Sequence, residues 1–494
     1  MLTVVIFSIA AFVLALLSII AIFLVADGAS RWSGRMFSFL MLLILGASVG
    51  NVLLAARVLR LNEFEALVVG SEGDIGGTLS AKLLLVAVIG CSVSLCAAWI
   101  FQFGKRNAIR KNRFEERGQH APNDVVNAFM VFYVAFSILP LFFGQRYHFH
   151  VSLIYPFFVF LALFLWMRLS SVDPLVVAKQ CLGVIVFASL GAAVLVPQLA
   201  IQPGYVGLIP GFNSRLWGVT GHANGLGSVA CALLILEAAE PSARAWLGRS
   251  ILVAAALALI LTQSKTSIVA ASLGLSMIFG WRLLLKAGEK EKAGGTNQSF
   301  IIAGLIGVLV TLIVVIGAWA MFSDTSVLAT LERKLEARAV GDLSTATGRT
   351  YIWEVAIEGG LENPLFGQGL GFWSVDNQLR WGLNGAMHAH NLFLQVFSRS
   401  GFVGLAALLV FLYFLLRYAM RASKITRGGS IAMITIFLIR AMSEVGISPN
   451  AILGSEFFAM MACFIYIIDR GAKPAQKTNK SASWQHSVKT MGVR

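Results

Sequence analysis

Long runs of apolar residues dominate the sequence, and two of the clearest are Leu2 to Val25 and Phe300 to Phe322. Each run is long enough to cross a bilayer as a helix, which takes about 20 residues. Only 13% of the side chains are charged, against about 25% in an ordinary soluble domain. The runs therefore predict an all-α polytopic membrane protein. They exclude a soluble enzyme, a disulfide-stapled secreted domain and a disordered chain.

The apolar runs form a series of segments that predicts about 12–13 transmembrane helices. The segments start near Leu2, Met36, Leu79, Val126, Val151, Val177, Asn224, Ser250, Ser267, Phe300, Leu392, Ser430 and Ile452. The first segment carries no charge between Met1 and Asp27, so we interpret it as a retained helix rather than a signal peptide. The last residues are polar and basic. We therefore expect one transmembrane domain over residues 1–468 and a disordered basic tail over residues 469–494.

The stretch from Ser250 to Leu285 could be one long helix or two shorter ones. A polar break from Gln263 to Ser267 interrupts it, and this favours a hairpin with Lys265 in the turn. The first arm would then be about 13 residues long, short enough for a half-helix that does not span fully.

The basic residues indicate the orientation of the chain. There are 39 Lys and Arg against 24 Asp and Glu, which gives a net charge of +15. Loops rich in Lys and Arg face the cytoplasm, and the clearest is Lys105 to Asp124. Alternation from that loop places the other short basic loops and the tail inside, and the acidic loop from Glu63 to Asp74 outside. The charge therefore sets the topology and indicates no nucleic-acid partner.

Two outer loops are longer than the topology requires, namely Gln202 to His222 and the large loop over residues 323–390. In the large loop we expect an amphipathic helix from Ser326 to Val340 and a second short helix from Thr350 to Glu358, ended by Gly359 and Gly360. A glycine-rich segment follows, from Asn363 to Gly371. Its spacing matches no nucleotide-binding motif, so we expect these glycines to form tight turns.

His388 and His390 lie close together where the large loop enters the next apolar segment. Three interpretations are open: a metal site, ordinary surface histidines, and a general base that accepts a proton from a hydroxyl. No cysteine or carboxylate lies close enough in sequence to complete a metal site. On residue type and position alone, the base ranks below ordinary surface histidines.

Four cations lie on the outer side, where positive charge is scarce. They are Arg215, Lys265, Arg349 and Arg399. Each one alone could extend to the lipid headgroups, but several together near histidines indicate a site for an anion such as a diphosphate.

Arg440 and Glu444 stand four residues apart in an apolar segment. This spacing predicts that they form an ion pair. The pair could be purely structural, or Arg440 could line the same cavity with Glu444 orienting it. The five cysteines all lie in apolar segments and indicate no disulfide or zinc site.

Several motifs resemble the superfamily of O-antigen ligases and Wzy-type polysaccharide polymerases. They are His390-Asn391 followed nine residues later by Gly401-x-x-Gly404, Arg349-Thr350-Tyr351-Ile352-Trp353, Arg215-Leu216-Trp217-Gly218 with Gly221-His222-Ala223-Asn224-Gly225, and Ser264-Lys265-Thr266-Ser267. Many ligases have Ser-Arg-Gly at the last motif. With Lys265 there, the chain is most similar to exopolysaccharide polymerases of the ExoQ type.

The resemblance implies a GT-C-like, metal-independent, inverting glycosyltransferase in the bacterial inner membrane, without a cofactor. It would move a glycan from undecaprenyl diphosphate to a sugar hydroxyl at the periplasmic face, in exopolysaccharide or O-antigen polymerisation. His390 would activate that hydroxyl. The residues implied to bind the diphosphate or the substrate are Arg349, Lys265, Arg215, His388 and Asn391. The residues implied to support them are Arg440, Glu444, His222 and Asn224.

Other functions remain open at this point. The enzyme could be an O-antigen ligase that joins the glycan to lipid A-core. The chain could also be a transporter of a lipid-linked or anionic substrate, or a structural membrane protein. A transporter more often places polar residues at mid-membrane, whereas here they lie at the outer ends, which favours an enzyme. Membrane lipid is the implied surrounding, and a chain-length regulator or export proteins are possible partners.

Overall fold

The computed structural model describes residues 20, 23–25, 27–29, 31–54, 79–100, 122–145, 154–205, 209, 213–292, 346–381, 388–445 and 452–472. These residues are helical apart from turns and one two-stranded antiparallel sheet. The helices are α1 (Met36–Leu54), α2 (Leu79–Ala98), α3 (Asn123–Tyr133), α4 (Leu139–Phe143), α5 (Tyr155–Met167), α6 (Pro174–Leu195), α7 (Pro197–Ala200), α8 (Ala223–Ala239), α9 (Ala245–Thr262), α10 (Lys265–Lys292), α11 (Ala346–Glu362), α12 (Val375–Arg380), α13 (Leu392–Ala422), α14 (Gly429–Ser443) and α15 (Ser455–Gly471). The strands are β1 (Ile201–Pro203) and β2 (Ser214–Leu216).

Six helical stretches in the described part are long and apolar enough to cross a membrane. They are Ser33–Leu54, Asn123–Phe143, Pro174–Leu195, Ala245–Thr262, Lys265–Leu285 and Leu392–Ala422. The prediction of an all-α polytopic membrane protein is thereby confirmed. The segment predicted near Phe300 and the amphipathic helix from Ser326 to Val340 lie outside the described residues, as do most of the segment near Leu2 and most of the basic tail.

The polar break at Gln263 does separate two helices, as predicted. Gln263 adopts a left-handed backbone with φ of 50° and ends α9, and α10 begins two residues later at Lys265. The expectation that the first arm could be a half-helix is wrong. The helix begins at Ala245 rather than near Ser250 and has 18 residues, because Ala245 to Arg249 continue it without a break.

Helix α8 lies at the centre of the helix bundle, with most of its side chains buried. Small residues at its start allow neighbouring helices to approach closely, as in other membrane helix packings. A Cβ atom on Gly225 would lie 2.5 Å from Ser455 Oγ, and one on Gly227 would lie 2.8 Å from Ser267 Oγ. The starts of α10 and α15 therefore pack directly on the start of α8.

Helix α11 runs straight through Gly359 and Gly360 to Glu362, so the prediction that these glycines end the helix is wrong. They are required for packing instead. A Cβ atom on Gly359 would lie 2.4 Å from the Phe372 ring, and one on Gly360 would lie 2.4 Å from the Phe397 ring. The two aromatic rings occupy the space that side chains would fill.

The glycine-rich segment after α11 docks on a kink in α13. Gly401 has φ of 60° inside that helix, which removes the normal partners of the next two amides. The Phe402 and Val403 amides donate instead to the carbonyl oxygens of Pro364 and Leu365, at 2.7 and 3.1 Å. Gly367 also has a positive φ, and its Cα lies against the backbone of α13. The prediction that these glycines form tight turns is confirmed for Gly367 and Gly369, which has φ of 90°.

The end of the bundle opposite these loops is held by buried ion pairs. Arg470 contacts Glu240 at 2.6 Å and Asp173 at 3.4 Å. Helix α15 therefore continues past the predicted start of the tail at residue 469, and both Asp469 and Arg470 are buried. This arrangement joins the ends of α6, α8 and α15.

Candidate active site

Six helix termini meet at one end of the bundle and carry most of the residues singled out from the sequence. They are the starts of α8, α10, α13 and α15 and the ends of α9 and α14. Helix α11 lies beside them through its contact with α13. Residues far apart in sequence therefore come together at the side of the bundle where the loops lie.

The backbone at His390 is held by two contacts of the preceding residue, Ala389. The Ala389 carbonyl accepts from Trp353 Nε1 at 2.9 Å, and the Ala389 amide donates to Gln395 Oε1 at 2.8 Å. His390 itself has φ of 47°, a strained backbone that persists only where its surroundings hold it. The ring is therefore fixed in position rather than exposed on a free loop.

Glu444 is the partner of the His390 ring. Nδ1 of His390 lies 3.2 Å from Oε2 of Glu444. Because an ionised carboxylate can only accept, the proton belongs on Nδ1, and Nε2 keeps a free lone pair. The pair has the arrangement of a general base oriented by a carboxylate.

The predicted Arg440–Glu444 ion pair is wrong. Helix α14 ends at Ser443, and Glu444 has an extended backbone with φ of −150° and ψ of 164°. This turns its side chain away from the helical face on which a residue four positions earlier would be its neighbour. Arg440 instead contacts Glu456 at 3.4 Å and donates to Ser267 Oγ.

The other oxygen of Glu444 is shared by two side chains. Arg349 Nη2 lies 3.7 Å from Oε1, and Asn224 Nδ2 donates to the same atom at 2.9 Å. Asn224 in turn accepts from Arg215, whose Nε donates to the Thr262 carbonyl at 2.9 Å. One chain of contacts thus joins Arg215, Asn224, Glu444, Arg349 and His390.

Exposure differs along this chain of contacts. The Glu444 side chain is 10% exposed, whereas those of Arg349 and His390 are 27% and 29% exposed. Arg215 is buried and its guanidinium lies over the Tyr205 ring. Arg349 and His390 are therefore partly accessible, whereas the side chains of Glu444 and Arg215 are buried.

The remaining predicted site residues lie close by in different roles. Asn391 caps α13, since its Oδ1 accepts from the amides of Phe393 and Leu394. His222 caps α8 through Nδ1, which accepts from the Asn224 amide at 3.1 Å. Lys265 is exposed at the start of α10 and makes no ion pair with any residue that the structure describes. Of its neighbours in sequence, Thr262 accepts a hydrogen bond from Arg215, and Ser267 accepts one from Arg440.

Burial and neighbouring groups together keep Glu444 ionised and His388 neutral. Burial raises the pKa of Glu444, but the hydrogen bond from His390 and the nearby positive groups outweigh it, so the pKa lies well below its usual value. Partial burial and the neighbouring His390 and Arg349 lower the pKa of His388 to about 4. In agreement, His388 Nδ1 accepts from the His390 amide at 3.2 Å, which requires that this nitrogen carries no proton.

His388, His390 and Glu444 could together offer ligands to a metal ion, because one ligand atom from each lies within 4.8 Å of the others. The surrounding charge does not fit a cation well. Arg349 already contacts the carboxylate, so the charge that Glu444 could offer to a cation is partly neutralised.

Two residues of the site are absent from the predictions. Glu456 pairs with Arg440 at the start of α15, and Gln395 fixes the backbone beside His390. A signal for each exists in the sequence, since both are polar residues in apolar segments. Membrane segments rarely carry such residues without a function.

Residues 250–409 match the model of the Wzy_C family, described as O-antigen ligase. No curated protein matches the chain. The matched region contains Lys265, Arg349, His388 and His390, whereas Glu444 lies outside it. The protein is therefore a multi-pass membrane protein in which residues 250–409 are similar to the O-antigen ligase family.

Proposed function

We propose that this protein transfers a glycan from undecaprenyl diphosphate to a sugar hydroxyl, as a metal-independent inverting glycosyltransferase. One observation carries the proposal: within the matched domain, His390 is hydrogen-bonded to a buried carboxylate and stands beside the exposed cation of Arg349. A base and a positive charge are the two groups that displacement of a diphosphate by a hydroxyl requires.

In the proposed reaction, Nε2 of His390 takes the proton of the acceptor hydroxyl. The hydroxyl oxygen forms a bond to the anomeric carbon, and the bond from that carbon to the diphosphate oxygen breaks. The electron pair leaves with the diphosphate. Because this is a single displacement, the anomeric configuration inverts. Glu444 stabilises the imidazolium that forms, as a carboxylate does for a histidine base.

The leaving group needs positive charge at the moment when the bond breaks. Arg349 can supply it directly, and the exposed Lys265 can add to it as a point charge. Arg215 donates to Asn224 and to the Thr262 carbonyl, so we assign it a supporting role. The donor carries its own activated bond, which removes the need for a nucleotide site.

The experiment is a transfer assay with purified protein in proteoliposomes that contain undecaprenyl-diphosphate-linked glycan and an acceptor. We expect a glycan product whose new linkage has the opposite anomeric configuration to the donor, at a rate that EDTA leaves unchanged. Loss of product in EDTA with recovery in Mg²⁺ would refute metal independence. Movement of the donor across the bilayer without any product would instead indicate a transporter.

The acceptor decides between two activities. The lysine at position 265 favours a polymerase of the ExoQ type, whereas the description of the matched family favours an O-antigen ligase that uses lipid A-core. We put the polymerase first. Deletion of the gene should then leave lipid-linked repeat units that are not polymerised. Long chains that accumulate without attachment to core would identify a ligase.

A further inference from the structure

Large apolar side chains are exposed on the part of the large loop nearest the bundle. Leu361, near the end of α11, is 60% exposed, and Leu365, in the turn that follows, is 59% exposed. Ile357 lies one helical turn before Leu361 and is also exposed. These residues belong to no membrane-spanning helix, so a lipid-facing position in a span does not account for them.

Backbone and ring contacts fix this turn to the ends of two spanning helices. The Phe366 ring stacks on Phe143 at 4.8 Å, at the end of the span Asn123–Phe143. The Val403 amide donates to the Leu365 carbonyl at 3.1 Å, within the span Leu392–Ala422. Leu365 is therefore held beside both spans, next to the end of the first one.

The exposed apolar surface continues from the turn onto the spans. Phe142 and Phe143 at the end of α4 and Phe402 in α13 are exposed large hydrophobic residues. In spanning helices such residues face lipid. Leu365 adjoins them through Phe366 and Val403, so one apolar surface extends from the two spans onto the loop.

The positions of the charged residues on α11 indicate which edge of the helix faces lipid and which faces water. Glu354 and Glu358 are exposed, and at 100° per residue they lie on the edge next to the one formed by Ile357 and Leu361. Next to lipid-facing spans, a helix whose exposed side has an apolar edge and a charged edge can lie in the membrane interface, with the apolar edge about 5–10 Å into the boundary with the acyl chains. The acidic edge then faces water.

We propose that Ile357, Leu361 and Leu365 form an apolar wedge that inserts into the lipid of the leaflet on the side of the candidate site. The partner is the acyl chains of the bilayer itself. The wedge holds the large loop against the membrane independently of the chemistry at His390.

The test attaches an environment-sensitive fluorophore to Leu361→Cys and Leu365→Cys in lipid nanodiscs. Glu358→Cys, on the charged edge of the same helix, is the matched control. Unsubstituted protein measures labelling of the five native cysteines, of which all but Cys91 are buried. None of the three positions belongs to the proposed catalytic site, and each side chain is exposed. We therefore expect the variants to fold normally and to have the same elution profile in size-exclusion chromatography as the unsubstituted protein.

We expect the labels at 361 and 365 to emit at shorter wavelength, and to lose most of their intensity to bromine-bearing lipid but little to iodide in the buffer. The label at 358 should show the reverse. Quenching at 361 and 365 by iodide as strong as at 358 would overturn the proposal. Protection of both labels from either quencher would also overturn it, since a protein partner rather than lipid would then cover the wedge.

Discussion

Glu444 contacts side chains from three distant parts of the sequence. It accepts hydrogen bonds from His390 and Asn224, and it forms a longer ion pair with Arg349 at 3.7 Å. In the proposed mechanism, this one carboxylate orients the base His390, faces the cation of Arg349 and connects through Asn224 to Arg215. At the scale of single residues, the proposed mechanism depends on this shared position.

Glu444→Gln tests the orienting role. The amide keeps the shape but loses the charge, so it no longer fixes the proton on His390 Nδ1 or stabilises the imidazolium. We expect the transfer rate to fall about 10²- to 10⁴-fold. Glu358→Gln, an exposed glutamate on α11, is the control and should keep the original rate. A Glu444→Gln variant that transfers glycan as fast as this control would argue against the proposed role of Glu444 in orienting His390.

Substitutions of Arg349 test whether this residue stabilises the diphosphate leaving group. Arg349→Ala removes the charge and should slow transfer by about 10²- to 10³-fold. Arg349→Lys keeps a point charge without the bidentate fork and should be slowed less. Initial rates at saturating donor measure both. Near-normal rates in the two variants alike would be incompatible with a direct contact to the diphosphate.

At the scale of elements, the kink in α13 connects the large loop to the bundle. Gly401 has φ of 60°, and a Cβ atom there would lie 2.5 Å from the Leu365 backbone. We expect Gly401→Ala to lower the free energy of unfolding by at least about 1–3 kcal/mol, as measured by thermal unfolding in detergent. The loop should also become more sensitive to protease.

Gly280→Ala is the control for this prediction. Gly280 lies inside α10, and nothing lies within 4 Å of the position of its Cβ atom. Alanine is favoured over glycine in a helix by up to about 1 kcal/mol, so this variant should be as stable as the original protein or slightly more stable. Equal destabilisation of both variants would mean that the kink has no special role.

Local composition predicted the helices well, and it predicted the contacts between them poorly. The break at Gln263 and the cluster of Arg215, Arg349 and His390 follow from polar residues in apolar surroundings. The Arg440–Glu444 pair failed because helix α14 ends one residue before Glu444. The prediction that Gly359 and Gly360 end α11 was wrong because the rings of Phe372 and Phe397, which leave no room for a side chain at these two positions, come later in the sequence. Where a helix ends and which side chains then contact each other depend on tertiary packing, which a helical repeat does not encode.

At the scale of the whole molecule, the six meeting helix termini belong to one side of the membrane. Among the described helices, the start of α8 is followed there by the end of α9 and the start of α10, and the start of α13 by the end of α14 and the start of α15, as a chain that crosses back and forth requires. We propose that this side faces the periplasm, because the positive-inside rule predicts the basic loops on the other side. A reporter fused after Gly341 should therefore be active in the periplasm, and one fused after Arg113 in the cytoplasm. Exchange of the two results would invert the topology and place the site where no periplasmic acceptor could reach it.

The most direct test of the whole account is the rate of glycan transfer by purified His390→Ala. The variant is supplied with undecaprenyl-diphosphate-linked glycan and acceptor in proteoliposomes, and its folding is checked by its elution profile and thermal unfolding. We expect a well-folded protein whose transfer rate is lower by about 10²- to 10⁴-fold. A well-folded His390→Ala variant that forms product at the original rate would contradict the assignment of His390 as the general base.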